Sequence, residues 1–168
     1  MEKAQFWNEI DASRRASDGD PEAQVDELRI RLGSLSADEI VEFDRIFSEY
    51  HERAYSWDLW GAAYIIGGGC SDDGFMDFRG WLISKGEKAY EAALENPESL
   101  VKVVKEDDEE CQIEGFQYAA SKAWEEKTGL GRDAFPRHSI ERRNEPVGTK
   151  WNEDDLEVRF PKLTKKFG

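Results

Sequence analysis

The residues best suited to chemistry are concentrated between positions 55 and 82. This stretch reads YSWDLWGAAYIIGGGCSDDGFMDFRGWL and contains three tryptophans, one cysteine and five charged side chains around three consecutive glycines. Tryptophan and arginine are enriched at binding hot spots, and carboxylates and thiols carry much of enzyme chemistry. We therefore predict a functional cluster composed of Trp57, Asp58, Trp60, Cys70, Ser71, Asp72, Asp73, Arg79 and Trp81.

The carboxylates of this cluster allow two interpretations. Asp72 and Asp73 are adjacent and could bind a divalent cation or transfer protons. They follow the glycines at the start of a predicted helix, where Ser71, Asp72 and Asp73 are all suitable N-caps, so a capping role is favoured. Asp58 lies between Trp57 and Trp60, and we expect it to be partly buried. A buried carboxylate needs partners, so it should bind Arg79 or the backbone of the glycine turn, and this structural role is favoured over catalysis.

Nucleophilic, phosphate and metal sites are less favoured. Cys70 precedes a helix N-terminus, which favours the thiolate, but His51 is the only nearby base in the sequence. The glycines resemble a phosphate-binding loop only superficially, because no strand precedes them and no lysine follows. The chain has two histidines, His51 and His138, and two cysteines, so we predict neither a metal site nor a cofactor.

Arg79 and Trp81, together with Trp57 and Trp60, also allow a recognition pocket as an alternative to a plain aromatic core. The helix that carries Trp57 and Trp60 is predicted to be long, because apolar residues recur at steps of three and four from Ile40 to Tyr64. A capping box at Ser36 and Glu39 begins it, and its length predicts a bend or a break near Ser56. Gly61 lies on its apolar face, where an aromatic ring or another backbone can approach closely.

The whole sequence predicts an all-α fold. Apolar stripes of helical period recur along residues 1–129, and the β-like run 100–104 is the one candidate for a minor β element. We expect a single domain, 1–168, of about six helices. From residue 130 onward the periodicity fails, so residues 130–168 should form an irregular C-terminal arm that wraps back over the core.

Composition limits the functions that this chain can have. It carries 37 acidic and 23 basic residues, a formal net charge of −14, which disfavours nucleic acid and anionic membranes and suits a basic protein partner. No apolar run is long enough to span a membrane, and two cysteines suit a reducing cytoplasmic location. The acidic run at residues 106–110 is interpreted as a solvated face rather than a docking patch.

The runs WDLWGAAYIIGGGCSDDGF and FRGWLISKG resemble the bacterial family catalogued as domain of unknown function 4240. The similarity extends to Phe6 and Trp7, to the run Trp124-Glu125-Glu126-Lys127, and to the segment from Trp151 to Leu163. The resemblance implies a bacterial origin and a shared fold. It implies no activity, because the family has none assigned.

Two classes of function remain. The first is a small acidic protein-interaction module with a regulatory or immunity-like (toxin-neutralising) role. The second is a hydrolase-type enzyme, with or without a divalent cation, whose site is the hinge formed by Asp58, Asp72 and Asp73. Because no recognisable catalytic set is present, the sequence favours the interaction module.

Overall fold

The protein is all-α, as the sequence predicted, and 69% of the described residues are helical. The computed structural model describes residues 1–105, 108 and 111–168, and within these ranges it has no strand, only one isolated backbone bridge between Ser56 and Val147. Nine α-helices in the described part are α1 (Lys3–Ala16), α2 (Pro21–Gly33), α3 (Ala37–Arg53), α4 (Trp57–Gly67), α5 (Asp72–Ser84), α6 (Glu87–Glu95), α7 (Ala119–Thr128), α8 (Leu156–Arg159) and α9 (Pro161–Phe167). Short 3-10 helices occur at Pro97–Lys102, Phe116–Tyr118, Arg132–Ala134 and Glu153–Asp155.

Local capping residues set the helix starts. The hydroxyl oxygen of Ser36 accepts a hydrogen bond from the Glu39 N–H at 3.2 Å, which confirms the predicted start of α3. The Ser36 hydroxyl also lies 3.1 Å from a carboxylate oxygen of Glu39. Ser56 caps α4 and Ser71 caps α5 in the same way, each accepting from a backbone N–H three residues ahead. Side-chain caps of this kind satisfy backbone donors that the helix itself cannot satisfy.

The long helix predicted from residue 36 to residue 66 is interrupted, as expected, near Ser56. Helix α3 ends at Arg53, Ser56 is extended with φ −135° and ψ 150°, and α4 starts at Trp57. The serine hydroxyl bonds the Leu59 N–H, so the chain starts a new helix instead of extending the old one. The break changes the direction of the second half of the predicted stripe.

The β-like interpretation of residues 100–104 is wrong, because most of that run belongs to the 3-10 helix Pro97–Lys102. Pro97 occupies its first position, and the Asn96 side chain accepts a hydrogen bond from the Glu98 N–H at 3.1 Å. These local signals outweigh the β propensity of the three valines and leucine. Of the acidic run 106–110, only Asp108 is among the described residues, and its carboxylate accepts the Lys105 N–H.

Buried aromatic rings from several helices form the centre of the core. Phe6, Phe43 and Tyr50 pack with centroids 4.7 and 5.4 Å from Phe6, and the buried hydroxyl of Tyr90 donates to the Tyr50 carbonyl at 2.7 Å. This last contact joins α6 to α3. Such stacked and tilted ring contacts supply large apolar burial with defined geometry.

The end of the chain packs on α4. Leu156, Phe160 and Leu163 of α8, α9 and their junction are buried, and they lie over the face of α4 that contains Gly61. A β-carbon at Gly61 would lie 3.0 Å from Leu156 and Phe160 atoms and 3.1 Å from Trp151 Nε1. The glycine therefore permits the close approach that its position on the apolar face predicted.

Candidate functional site

The hinge between α4 and α5 is built by glycine and serine. Gly68 has φ +67° and Gly69 has φ +131°, conformations that end α4 and that other residues rarely adopt. Ser71 then accepts the Gly74 N–H at 3.0 Å and starts α5. Ser71 is thus the cap, whereas Asp72 and Asp73 lie exposed in the first turn of α5, where negative charge stabilises the helix.

A stack of aromatic rings runs from the surface into the core at this hinge. Trp57 and Trp60, one turn apart on α4, are both half-buried and stack almost parallel, with centroids 5.4 Å apart and planes at 5°. Trp60 stacks in turn on the buried ring of Phe75 at 5.1 Å. Its indole N–H donates to the Cys70 carbonyl at 2.9 Å, which ties α4 to the loop before α5.

Arg79 and Trp81 belong to the core beneath this stack and do not line a surface pocket. Trp81 is 1% exposed and packs on Phe78, which packs on Phe75. Arg79 is 7% exposed, and its guanidinium lies 4.6 Å from the Tyr55 ring centroid and 5.0 Å from that of Phe75. The plain aromatic core is therefore the correct interpretation for these two residues.

The buried Arg79 is held mainly by a carbonyl and by ring faces. Its Nη1 donates to the His51 carbonyl at 3.1 Å, near the C-terminal end of α3, where a cation is favoured. Among the described residues it has no ion-pair partner, and its Nε has no hydrogen-bond acceptor. Burial accordingly lowers the pKa of the Arg79 guanidinium, because the charged form is disfavoured away from water.

Four carboxylates lie on the α5 side of the hinge, three on α5 itself and one at residue 114. Asp72, Asp73 and Glu114 are exposed, and Asp77 is half-buried. Burial raises the pKa of the Asp77 carboxyl, and the carboxylates of Glu114 and Asp73 raise it further. None of the four forms an ion pair with another described residue, and the charge of Asp72 acts on the buried Arg79. We name Trp57, Trp60, Asp72, Asp73, Asp77 and Glu114 together the hinge surface.

The C-terminal part of the chain places two cations against the first turn of α4. The Lys150 ammonium lies 5.4 Å from the Trp57 ring centroid, and Trp151 Nε1 donates to the Trp57 carbonyl at 2.7 Å. Arg159 forms an ion pair with Asp58 at 3.0 Å. Sequence reasoning missed all three contacts, because the partners are some 90 to 100 residues apart and no local pattern links them.

The prediction that Asp58 is partly buried and tied to Arg79 or the glycine turn is wrong. Its side chain is 52% exposed and its partner is Arg159 on α8. The prediction assumed one continuous helical face from Ile40 to Tyr64. The break at Ser56 changes the phase, so the core-facing positions of α4 are Leu59, Ala62, Ala63 and Ile66, and Asp58 points to solvent.

The two histidines have separate structural environments. His51 Nε2 lies 2.9 Å from the Met76 carbonyl and so donates to it as the neutral ring. Burial, followed by the charge of Arg79, lowers the pKa of His51 to about 4. His138 Nε2 lies 2.7 Å from a carboxylate oxygen of Asp44, and both side chains are largely buried. This second pair holds the start of the C-terminal arm on α3, an arrangement that no sequence motif indicated.

No set of three or more histidine, cysteine, aspartate or glutamate side chains in the described ranges is arranged to hold a metal ion. Asp72 and Asp73 therefore offer at most two neighbouring ligands at the hinge, and Asp58 is already paired with Arg159. The same residues serve better as a negatively charged surface. In the described part of the chain, no helix is both long and apolar enough to cross a bilayer.

A family model described as "Protein of unknown function (DUF4240)" matches residues 1–126. Because the match covers three quarters of the chain, the protein belongs to this family. The matched region contains every residue of the hinge surface, and the segment from Trp151 to Leu163 lies beyond it. A search of the curated proteins and a search of the solved structures each found no match.

Proposed function

We propose that this protein is an interaction module that binds a basic segment of a partner protein at the hinge surface. One observation carries the proposal: four carboxylates without an ion-pair partner among the described residues lie on α5 and at residue 114, and Phe75 of the same helix stacks on Trp60 of the half-exposed pair Trp57 and Trp60. Aromatic anchors next to complementary charge are typical of binding hot spots.

The electrostatics of the carboxylates favour an incoming cation. Burial, and after it the like charges of Glu114 and Asp73, raise the pKa of Asp77, which means that its ionised form is destabilised in the free protein. A lysine or arginine placed among Asp73, Asp77 and Glu114 would stabilise all three ionised carboxylates at once. Binding energy would then come from relief of repulsion as well as from new ion pairs.

The tryptophans have a suitable geometry for the same ligand. The Trp57 ring stacks on Trp60 and meets the Trp151 ring edge-on with centroids 6.2 Å apart, so its neighbours restrict it before a partner binds. It already has the ammonium of Lys150 5.4 Å from its centroid. The Trp57 ring therefore accepts a cation, and a partner's lysine or arginine would bind it by replacing Lys150.

The charge distribution supports a basic partner as well. Residues 130–168 contain nine basic and seven acidic side chains, so the entire acidic excess of the protein lies in residues 1–129, which carry the hinge surface. The negative electrostatic potential of residues 1–129 should accelerate association with a basic protein. The biological role that fits best is regulatory or immunity-like, in which a small acidic protein covers a functional surface of a basic one.

The test uses a ten-residue peptide of alternating lysine and glycine, titrated into the ¹⁵N-labelled protein while the six indole N–H signals are followed by NMR. We expect saturable shifts of the Trp57 and Trp60 signals, and no shift of the buried Trp7 signal. An alternating glutamate and glycine peptide should give none. Absence of saturable shifts with the lysine peptide would overturn the proposal.

Two charge-matched variants separate a specific site from general attraction. The triple variant Asp73→Asn, Asp77→Asn and Glu114→Gln removes three charges of the hinge surface. It should lower the affinity for the lysine peptide by about tenfold or more. The control variant Glu2→Gln, Glu27→Gln and Glu125→Gln removes three charges elsewhere and should retain most of the affinity. Equal weakening in both variants would show that binding depends on net charge and not on the hinge surface.

A further inference from the structure

A second surface carries a local excess of cationic side chains. An open cavity of about 660 Å³ is lined by Arg14, Arg15, Asp18, Gly19, Lys85, Ala89, Val103 and Lys105. Four cationic side chains and one carboxylate thus converge on it, in a chain whose net charge is −14. The cavity is formed by the end of α1, the end of α5, the first turn of α6 and residues 103–105.

Helix ends account for only part of this charge. Arg14 and Arg15 lie in the last turn of α1, and Lys85 follows α5, positions at which cations stabilise the helix dipole. Lys105 lies outside any helix, so no helix end explains its position. Its ammonium lies 3.9 Å from the point where a β-carbon on Gly19 would be, and Gly19 has φ +81°. The lysine therefore reaches across the glycine turn between α1 and α2.

Most of the four cations lack a carboxylate partner. Arg14 pairs with Asp11 at 2.9 Å, and the Lys85 ammonium lies 5.2 Å from the Trp81 ring centroid. Within the ranges that the structure describes, Arg15, Lys85 and Lys105 form no ion pair. Each therefore retains hydrogen-bond donors for a ligand, and their mutual repulsion would be relieved by an anion with several charges.

We propose that this cavity binds a phosphorylated small molecule of about the size of a nucleoside di- or triphosphate. A volume of 660 Å³ lies in the range typical of small-molecule sites. Arginine and lysine are the side chains that recognise phosphate, and Ala89 and Val103 provide apolar contact for the remainder of the ligand. The described carboxylates at this site are Asp11, which pairs with Arg14, Asp18 in the lining, and Asp108, which accepts the Lys105 N–H at 2.9 Å, so the four cations outnumber them. The site is independent of the hinge surface.

The first test compares inorganic phosphate, pyrophosphate, ADP and ATP by calorimetry with the full chain at about 0.15 M salt. We expect affinity to rise with the number of phosphates, and the ATP affinity to exceed that of inorganic phosphate by about tenfold or more. In NMR spectra of the wild-type protein, ATP should shift the methyl signals of Ala89 and Val103. If no phosphate compound binds saturably, or if these methyl signals stay unchanged, the proposal fails.

Variants then assign the binding to the cavity. The double variant Lys85→Gln, Lys105→Gln should lower the affinity for ATP by about tenfold or more, and Asp18→Asn should raise the affinity. The control replaces Lys88→Gln and Lys102→Gln, two exposed lysines that lie close in sequence but do not line the cavity, and it should bind ATP like the wild type. Equal losses in the two double variants would indicate nonspecific attraction and overturn the proposal.

Discussion

The packing of the chain end on α4 can be tested by adding one methyl group. In Gly61→Ala the new β-carbon would lie 3.0 Å from Leu156 Cδ2 and Phe160 Cε2, and 3.1 Å from Trp151 Nε1. These contacts are closer than normal van der Waals separation. The side chains that must yield are all buried or half-buried parts of the C-terminal segment.

Two opposing effects set the magnitude. Alanine is favoured over glycine inside a helix by about 1 kcal/mol, and overpacking a well-filled core costs about 1–3 kcal/mol. The net result for Gly61→Ala is a loss of stability between about zero and 2 kcal/mol. Gly80→Ala on α5 is the matched control, because its nearest non-local atom is the Ile113 carbonyl oxygen at an ordinary 3.7 Å. It should gain up to about 1 kcal/mol, so the two variants should differ by about 1–3 kcal/mol.

Urea unfolding of the wild type and the two variants measures this difference directly. NMR adds a local readout, since the Trp151 indole N–H, which donates to the Trp57 carbonyl, should shift in Gly61→Ala and stay in place in Gly80→Ala. If both variants gain the same stability and the Trp151 signal does not move, the C-terminal segment does not pack on α4, and our account of Trp57 and Asp58 fails with it.

Four further predictions concern single residues of the hinge and its surroundings. Asp58→Ala should lower stability by no more than about 1 kcal/mol, because its ion pair is half-exposed; a loss of several kcal/mol in urea unfolding would restore the idea of a buried anchor. The pKa of His51 is lowered from 6.5 to about 4 in the folded protein. Between these two pH values the imidazole is protonated in the unfolded chain and neutral in the folded one. The free energy of unfolding should therefore fall by at most about 3 kcal/mol as the pH is lowered from 6.5 to 4. The variant His51→Gln should lack this part of the pH dependence, and a profile parallel to that of the wild type would contradict the assignment. Arg79→Met should change the free energy of unfolding by no more than about 1.5 kcal/mol, because an apolar side chain of similar length replaces a buried cation that has no ion pair with any described residue. Arg79→Ala leaves a cavity and should cost about 2–4 kcal/mol, and equal losses in the two variants would show that the cation itself is stabilising. Millimolar magnesium should leave the melting temperature nearly unchanged, and a saturable rise that disappears in Asp73→Ala would favour the hydrolase-type alternative.

The C-terminal arm has two kinds of attachment to the rest of the protein. Residues 156–163 are held by burial of Leu156, Phe160 and Leu163. Residues 139–150 are mostly exposed and are held by polar contacts, including the Arg143 N–H to Glu52 at 2.6 Å and the backbone bridge of Val147. The first part is integral to the core, so truncation before residue 156 should destabilise the fold, and truncation is therefore unsuitable for testing the hinge surface.

Local sequence determined the helices and their ends. The Ser36 to Glu39 capping box, the glycines after α4 and the Ser71 cap act within a few residues, so their effects were predictable from spacing alone. The same holds for the buried side of α5, where Phe75 and Phe78 recur at helical spacing. The all-α class follows from these signals, because helical periodicity repeats along the chain and strand alternation does not.

Tertiary structure decided which side chains of the hinge face water and which charges have partners. Helical periodicity predicts a shared face only while the helix is continuous, and the serine cap at residue 56 reset that phase, so Asp58 turned outward and Arg159 became its partner. Lys150 meets Trp57, and Lys105 meets the glycine turn of Gly19, only because segments far apart in the chain pack together. The sequence therefore identified the residues of the hinge. The packing of the C-terminal arm and of α5 against α4 determined which of these side chains are exposed and which of their charges have partners.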